Sequence, residues 1–480
     1  MNHGNELSRR HLLQRGIAFS AGFAGLSSLM TGAARGTLGT ARLSQVASGA
    51  VGVGYGPLIK DPVGIFDLPA GFTYTVISRR GDKMSDGLYV PGQPDAMAAF
   101  PGPRDNTVVI VRNHELRPDA NTWSAFGKDL ELLDKVEPAR IYDRGSGKVP
   151  ACGGTTNIVY NTKDKRVERE FLSLAGTINN CAGGATPWGT WLTCEEDTTT
   201  PGMGLEKLHG YVFEVPATEA MEVTMPRPIK EMGRFRHEAC SIDPRSGVVY
   251  LTEDHVDGLL YRFIPKNPHN LHVGGRLQAL VVQGRLGLDT SNAPGKPKVE
   301  LGKPMAIAWM DLEDIDSPKD DLRHRYAEKG AAIFARNEGM WYGNEGVYFA
   351  ATTGGSAGKG QLWKYVPSAH EGTPEEKDAP GMLELFVEPN DSSVIENADN
   401  VAVAPWGELF LCEDEVGDGD DENYVVGVTP KGQAYRFAKN AKSKGEVAGA
   451  VFSPDGSTMF VNMQNDGLTL AIVGPWKKQA

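Results

Sequence analysis

Cysteine is scarce in this chain of 480 residues: Cys152, Cys181, Cys194, Cys240 and Cys412 make five. An odd number cannot all pair within one chain, so at least one thiol is free or ligating. None of the five forms a C-x-x-C, which excludes structural zinc of the usual kind. Positive charge is not in excess either. Lys and Arg number 49 against 61 Asp and Glu, a net charge of −12, so no nucleic-acid partner is expected. Past the N-terminal region no run is apolar enough to span a bilayer, and a long helical periodicity is missing. What the chain has in quantity is glycine, 58, and proline, 30, the residues that punctuate turns. The 40% of hydrophobic residues suffices for a large core.

The N-terminus carries a twin arginine in Ser8-Arg9-Arg10-His11-Leu12-Leu13. An apolar stretch rich in Gly and Ala follows from Gly16 to Met30, then the small residues Thr31-Gly32-Ala33-Ala34. Charged region, apolar region and small-residue cleavage zone come in the order of an export signal. The apolar stretch is short and diluted by Gly and Ser, so no stable membrane span is expected after processing. Residues 1–34 read as a Tat signal peptide, 35–56 as a flexible leader and 57–480 as the catalytic domain. The Tat export machinery carries cargo already folded. The expected location is therefore periplasmic or secreted, with any metal loaded beforehand, and the expected state is a monomer.

A short pattern then recurs: a turn, a β-rich strand, polar or acidic residues. Its copies are 106–115, 189–197, 247–255, 346–353, 407–415 and 456–465. A second, aromatic and alternating pattern appears at 210–216, 260–265, 361–367 and 433–437. Alternation of period two bounded by Gly and Pro predicts strands. Six copies at this spacing predict an all-β fold, a six-bladed β-propeller.

Hairpin geometry says where the acids go. An antiparallel hairpin returns its end to the level of its start. Cys181 is thereby brought near Glu195, Glu238 near Glu253, Glu338 near Thr353 and Asp399 near Glu413. If these are inner hairpins of successive blades, their ends meet at one central channel. Carboxylates packed there repel one another and raise one another's pKa, and a cation removes the difficulty. Oxygen ligands suit Ca²⁺, and the Cys181 thiolate adds a softer ligand that suits a transition metal such as iron.

The run from Gly176 to Glu196, GTINNCAGGATPWGTWLTCEE, resembles the signature of the PhoX-type alkaline phosphatases. Arg112-Asn-His-Glu115, Arg234-Phe-Arg-His-Glu238, Leu251-Thr-Glu-Asp254, Arg336-Asn-Glu-Gly339 and Glu396-Asn-Ala-Asp-Asn400 agree in order. The resemblance runs from about residue 60 to the end and marks a compact member. It implies a metal cluster of calcium and iron (Ca²⁺, Fe³⁺) in the central channel and hydrolysis of phosphomonoesters, small-molecule phosphate esters, outside the cytoplasm. Carried onto matching positions, it implies Cys181, Glu195, Glu238 and Glu338 as metal ligands, with Glu115, Glu253, Asp399 and Glu413 as further calcium ligands. Arg336 becomes the catalytic phosphate contact, because a guanidinium pairs with two phosphate oxygens. Two other readings stay open: a non-catalytic propeller stabilised by calcium, and another calcium-dependent propeller hydrolase such as a lactonase or phosphotriesterase.

Overall fold

The computed structural model describes residues 53–117, 123–146, 149–202, 204–344, 346–414 and 422–477. The expected signal peptide and nearly all of the expected leader lie outside the described residues.

The described chain is all-β save for short helical turns and one helix, Leu322–Ala327. Among the described residues no helix is long and apolar enough to cross a membrane. Each copy of the first sequence pattern forms a strand: Thr107–His114, Thr190–Glu195, Val249–Glu253, Gly346–Ala351, Leu409–Glu413 and Thr458–Met463. Each pairs antiparallel with the strand before it: Pro94–Pro101, Asn180–Ala185, His237–Ile242, Asn337–Gly343, Ala398–Val403 and Val447–Phe452. These six earlier strands lie side by side in chain order, and the sixth lies against the first, closing a ring about one axis.

Burial follows from that arrangement. A sheet with neighbours on both faces has no solvent face, so its strands read as nearly continuous apolar runs. Thr107–His114 and Val249–Glu253 are buried at every position. The outer strand Met382–Val387 alternates instead between buried and partly exposed residues. Between sheets the core is aromatic, with Trp191, Tyr250, Phe349 and Trp363 packed together with their neighbours in one cluster.

The arrangement is propeller-like, but six separate blades are not what the hydrogen bonds give. The described strands form five sheets, of six, three, ten, four and four strands. The ten-stranded sheet arises because Met305–Asp311, an extra strand, pairs with Met382–Val387 through Met305↔Leu383 and Ala306↔Met382. One four-stranded sheet joins the first and last parts of the described chain, since Thr73–Arg79 pairs with Leu468–Val473.

Candidate metal and phosphate site

Every inner hairpin carries the same irregularity. Pro94 pairs with His114 but Met97 with Arg112, and Asn180 with Glu195 but Gly183 with Thr193. The same step separates His237↔Glu253 from Cys240↔Leu251, Asn337↔Ala351 from Met340↔Phe349, and Ala398↔Glu413 from Val401↔Leu411. In the sixth hairpin it lies between Ala448↔Asn462 and Val451↔Phe460. The inner strand advances three residues where its partner advances two, which is a β-bulge. A bulge re-aims side chains that regular pleating would send elsewhere.

Two residues in each bulge have no cross-strand partner: Asp95-Ala96, Cys181-Ala182, Glu238-Ala239, Glu338-Gly339, Asp399-Asn400 and Gly449-Ala450. The second members are small except for Asn400, and with Gly449 they line a small axial cavity of about 20 Å³. The first members form an open ring of five ligand-bearing side chains. Asp95, Glu115 and Cys181 form one group whose ligand atoms lie within 4.8 Å of one another. Cys181, Glu196 and Glu238 form a second, and Glu238, Glu338 and Asp399 a third. Cys181 and Glu238 therefore each belong to two neighbouring groups, and their side chains touch, with the thiol donating to Glu238 Oε1 at 3.3 Å.

The group is nearly dry: Asp95 and Glu238 are 0% exposed and Glu338 2%. Burial first, and then the neighbouring carboxylates, push the Glu238, Glu338 and Asp95 acids well above the usual range. Asp399 is pushed up to about 8 for the same reasons, Asp414 being its largest like-charged neighbour. Glu238 Oε2 and Asp399 Oδ1 are buried oxygens with no hydrogen-bond donor. Unpaired buried charge is costly, and acceptor-only oxygens facing one another fit a cation. The donor set, carboxylates around one thiol, fits hard ions with a softer one beside them.

Glu195, Glu253 and Glu413 are not brought into these groups. Their cross-strand partners are Asn180, His237 and Ala398, one residue short of the ring members, and a one-residue offset turns a side chain to the other face. All three do one structural job. Gly210 N and Tyr211 N donate to Glu195 Oε2 at 2.9 and 3.2 Å, Leu259 N to Glu253 Oε2 at 3.2 Å, and Tyr424 N to Glu413 Oε2 at 3.0 Å. Each carboxylate thus anchors the start of the next strand. Glu195 also accepts from His209 Nδ1 at 2.6 Å, whose Nε2 faces Asp143 Oδ2 at 3.3 Å.

The residue after each of these acids faces the channel mouth instead. Glu196 pairs with Arg236, and Asp254 takes the Arg336 fork on both oxygens, at 2.9 and 3.0 Å. Asp414 receives Arg336 Nη1 at 3.3 Å, and Glu338 receives Nη2. Burial works to lower the Arg336 pKa, but Glu338, Asp254 and Asp414 hold it well above its ordinary value. Arg336 adopts φ +55°, a left-handed conformation costly for a side chain of this size. Its backbone N–H is fixed by His255 O at 2.9 Å.

Sequence reasoning passed over Asp95 and preferred Glu195 to Glu196. Asp95 stands twenty residues before Glu115, a wider hairpin than the 14 residues from Cys181 to Glu195 and Asp399 to Glu413 or the 15 from Glu238 to Glu253 and Glu338 to Thr353. The Glu-Glu and Glu-Asp doublets at 195–196, 253–254 and 413–414 were the available signal for two acids with different duties. His114 and His237 are packed rather than ligating, bonding to Gly92 O at 2.8 Å and Gly233 O at 3.1 Å.

A propeller-like ring whose axis carries buried acids and one thiol defines a protein built to hold cations at the end of a channel. The chain belongs to the alkaline phosphatase PhoX family, whose model matches residues 53–467. It is a phosphoric monoester hydrolase of that type. Among solved structures it is similar to Pseudomonas fluorescens PhoX in complex with vanadate, a transition-state analogue. Identity there is 16% and the TM-score 0.61, over 86% of this chain and 96% of that one. Weaker likenesses run to a gluconolactonase from Xanthomonas campestris, at 9% identity and TM-score 0.38 over 88% and 99% of the two chains. A protein of unknown function from Bacteroides thetaiotaomicron stands at 9% and 0.39, over 84% and 76%. A comparison with curated protein sequences found no match.

Proposed function

We propose that the chain hydrolyses phosphomonoesters at a calcium- and iron-holding site formed by the ring of Asp95, Cys181, Glu238, Glu338 and Asp399 together with the neighbouring Glu115 and Glu196. What carries the reading is the overlap of three ligand groups through Cys181 and Glu238. The only thiol in the ring is a member of two of the groups, which favours the softer metal at Cys181 and calcium at the outer carboxylates. Bound there, the ions would polarise the phosphoryl group and supply or orient an oxygen nucleophile.

The chain's own residues bind, orient and exclude. With Asp414 and Glu338 held by cations, Arg336 would turn the Nη1–Nη2 edge of its guanidinium, which meets those two carboxylates, to the equatorial phosphoryl oxygens, where charge grows in the transition state. Asp254 holds that guanidinium in plane through two bonds, so little order is lost when substrate arrives. The buried ring keeps water away from the reacting group and strengthens each charge contact. No Ser or Thr nucleophile is required.

The wider organisation is proposed with it. The inner-strand ring supports counting the ten-stranded sheet as two blades joined at their outer edges, six blades in all. The twin arginine supports Tat export, with residues 1–34 as signal, 35–56 as leader and a periplasmic or secreted location. The test is elemental analysis of the protein as purified, paired with an aryl phosphate assay. Bound iron and calcium with turnover is expected; bound metals without phosphomonoesterase activity would overturn the reading.

A further inference from the structure

We propose that Arg236 is a second phosphate-binding arginine, standing one blade before Arg336 and closing on the same phosphoryl group. The inference rests on phosphoryl chemistry at the ring, as proposed above.

Equivalent placement is the first support. Arg236 and Arg336 each stand two residues before a ring glutamate, Glu238 and Glu338. Each backbone carbonyl accepts from the residue that follows the hairpin's second strand, Asp254 N to Arg236 O at 3.2 Å and Thr352 N to Arg336 O at 2.8 Å. The other mouth positions with this bond are Gln93, Asn179, Asn397 and Glu446, taking Glu115, Glu196, Asp414 and Gln464 N–H groups. Of the six mouth positions, these two alone are cationic, and they stand on inner strands that lie side by side. Glu238 and Glu338, directly beneath, share one ligand group.

Charge pairing is the second. Glu196, Arg236, Asp254, Arg336 and Asp414 alternate in sign around the mouth. Arg236 bonds Glu196 and approaches Asp254 Oδ2 at 3.7 Å, the oxygen that also receives Arg336 Nη2. Asp254 therefore sets the spacing of the two guanidiniums.

Unused capacity is the third. Arg336 engages Nε, Nη1 and Nη2. The described bonds of Arg236 use Nε and Nη2 toward Glu196, and none involves Nη1. Its side chain is 33% exposed and that of Arg336 25%. A guanidinium kept only as a counter-ion to Glu196 gains nothing from an open edge at the channel mouth. One that also takes a phosphate oxygen needs that edge.

The experiment measures inorganic phosphate binding to the cation-loaded protein by calorimetry, beside competitive inhibition by phosphate and cation content. Arg236→Gln is expected to weaken phosphate binding about 10- to 100-fold, the range of a lost charge-assisted hydrogen bond. Arg236→Lys keeps the charge beside Glu196 and loses the fork, so it should recover part of the affinity and cover the case in which the Gln variant fails to fold or to load cations. Unchanged phosphate affinity in either variant, with cation content and thermal midpoint as in wild type, overturns the role. A wild-type protein that binds no phosphate and turns over no phosphomonoester overturns the parent reading. A wild-type protein that does both, beside an unaffected Arg236→Gln, removes only this residue.

Discussion

Adjacent carboxylates in this protein live in different worlds, and Glu195 with Glu196 shows how far one residue carries. Glu195 is 0% exposed and accepts from Ile178 N, Gly210 N, Tyr211 N and His209. Glu196 joins Cys181 and Glu238. Glu195→Gln should cost about 3–5 kcal/mol of stability, because it leaves buried His209 with one fewer counter-charge. Glu196→Gln should lower the melting temperature only by the few degrees that lost metal removes, far less than Glu195→Gln, while bound metal and turnover fall, the turnover by roughly 100-fold. Differential scanning calorimetry and elemental analysis on both variants separate them; the reverse pattern would restore Glu195 to the ring. The acids' presence near the channel was legible in the spacing of the hairpins. Which member of each doublet turns toward the channel mouth was not, because a bulge leaves no mark in a pattern of period two.

His209 sets a pH limit at the same scale. Burial opposes its charge, but Glu195 and Asp143 overcome that and push its pKa up to about 9. A histidine raised above its unfolded value of about 6.5 stabilises fully below that value and loses the contribution as pH rises through about 9. Asp143, lowered to about 2 by His209 and the Gly145, Lys207 and Glu206 N–H groups against the effect of burial, keeps its share down to far lower pH. The melting temperature should therefore decline between about pH 7 and 10 by a few degrees. His209→Gln should melt lower throughout and lose most of that slope. A slope equal to wild type would assign the alkaline loss to other groups.

At the scale of elements, the repeated strand-plus-bulge was half visible. All six copies of the first pattern became second strands, since an interior strand must be apolar on both faces and the repeat made that readable. Three copies of the aromatic pattern fall on third strands, Val212–Pro216, Gly258–Pro265 and Gln361–Val366. The copy at 433–437 falls instead on a fourth strand, Ala434–Asn440, because Tyr424–Val428 intervenes. This fourth strand is itself paired on its outer side with Phe66–Pro69, so its mixed burial looks much like that of a third strand in sequence. The sixth bulge explains the gap in the ligand ring. Gly449 has φ +64°, and a Cβ there would meet Asp95 O at 2.6 Å and Asn462 Nδ2 at 3.0 Å. Gly449→Ala should cost about 1–3 kcal/mol and reduce metal content by displacing Asp95. Gly189→Ala is the matched control: φ is +86° and nothing lies within 4 Å, so only the backbone penalty remains. Equal metal content in the two variants would mean that the sixth bulge does not bear on the ring.

The whole molecule sets closure at its circumference against repulsion at its axis. Thr73–Arg79 seals the last sheet against Leu468–Val473. Beside it, Tyr55, Phe72 and Phe437 pack on Trp476 with ring centres 4.6 to 5.7 Å apart. Aromatic packing of this kind adds about 0.5–1.5 kcal/mol per pair beyond area burial, so the chain ends are held independently of the centre. The axis has the opposite character. The ring of Asp95, Cys181, Glu238, Glu338 and Asp399 meets two arginines at its mouth, and both already serve Glu196, Asp254 and Asp414. Cations that bind only the folded ring stabilise by mass action, about 2.7 kcal/mol for a site at a hundredfold excess over its Kd. Chelation should therefore lower the melting temperature of the wild type by several degrees, and calcium with iron should restore it. Glu238→Gln, which removes a ligand shared by two groups, should start lower in metal and respond less to the chelator. The chelated protein should keep its β-rich circular dichroism at room temperature, because the clasp at the chain ends does not involve the ring. A melting temperature that stays fixed while elemental analysis shows the metals gone would mean that the buried acids are satisfied without them.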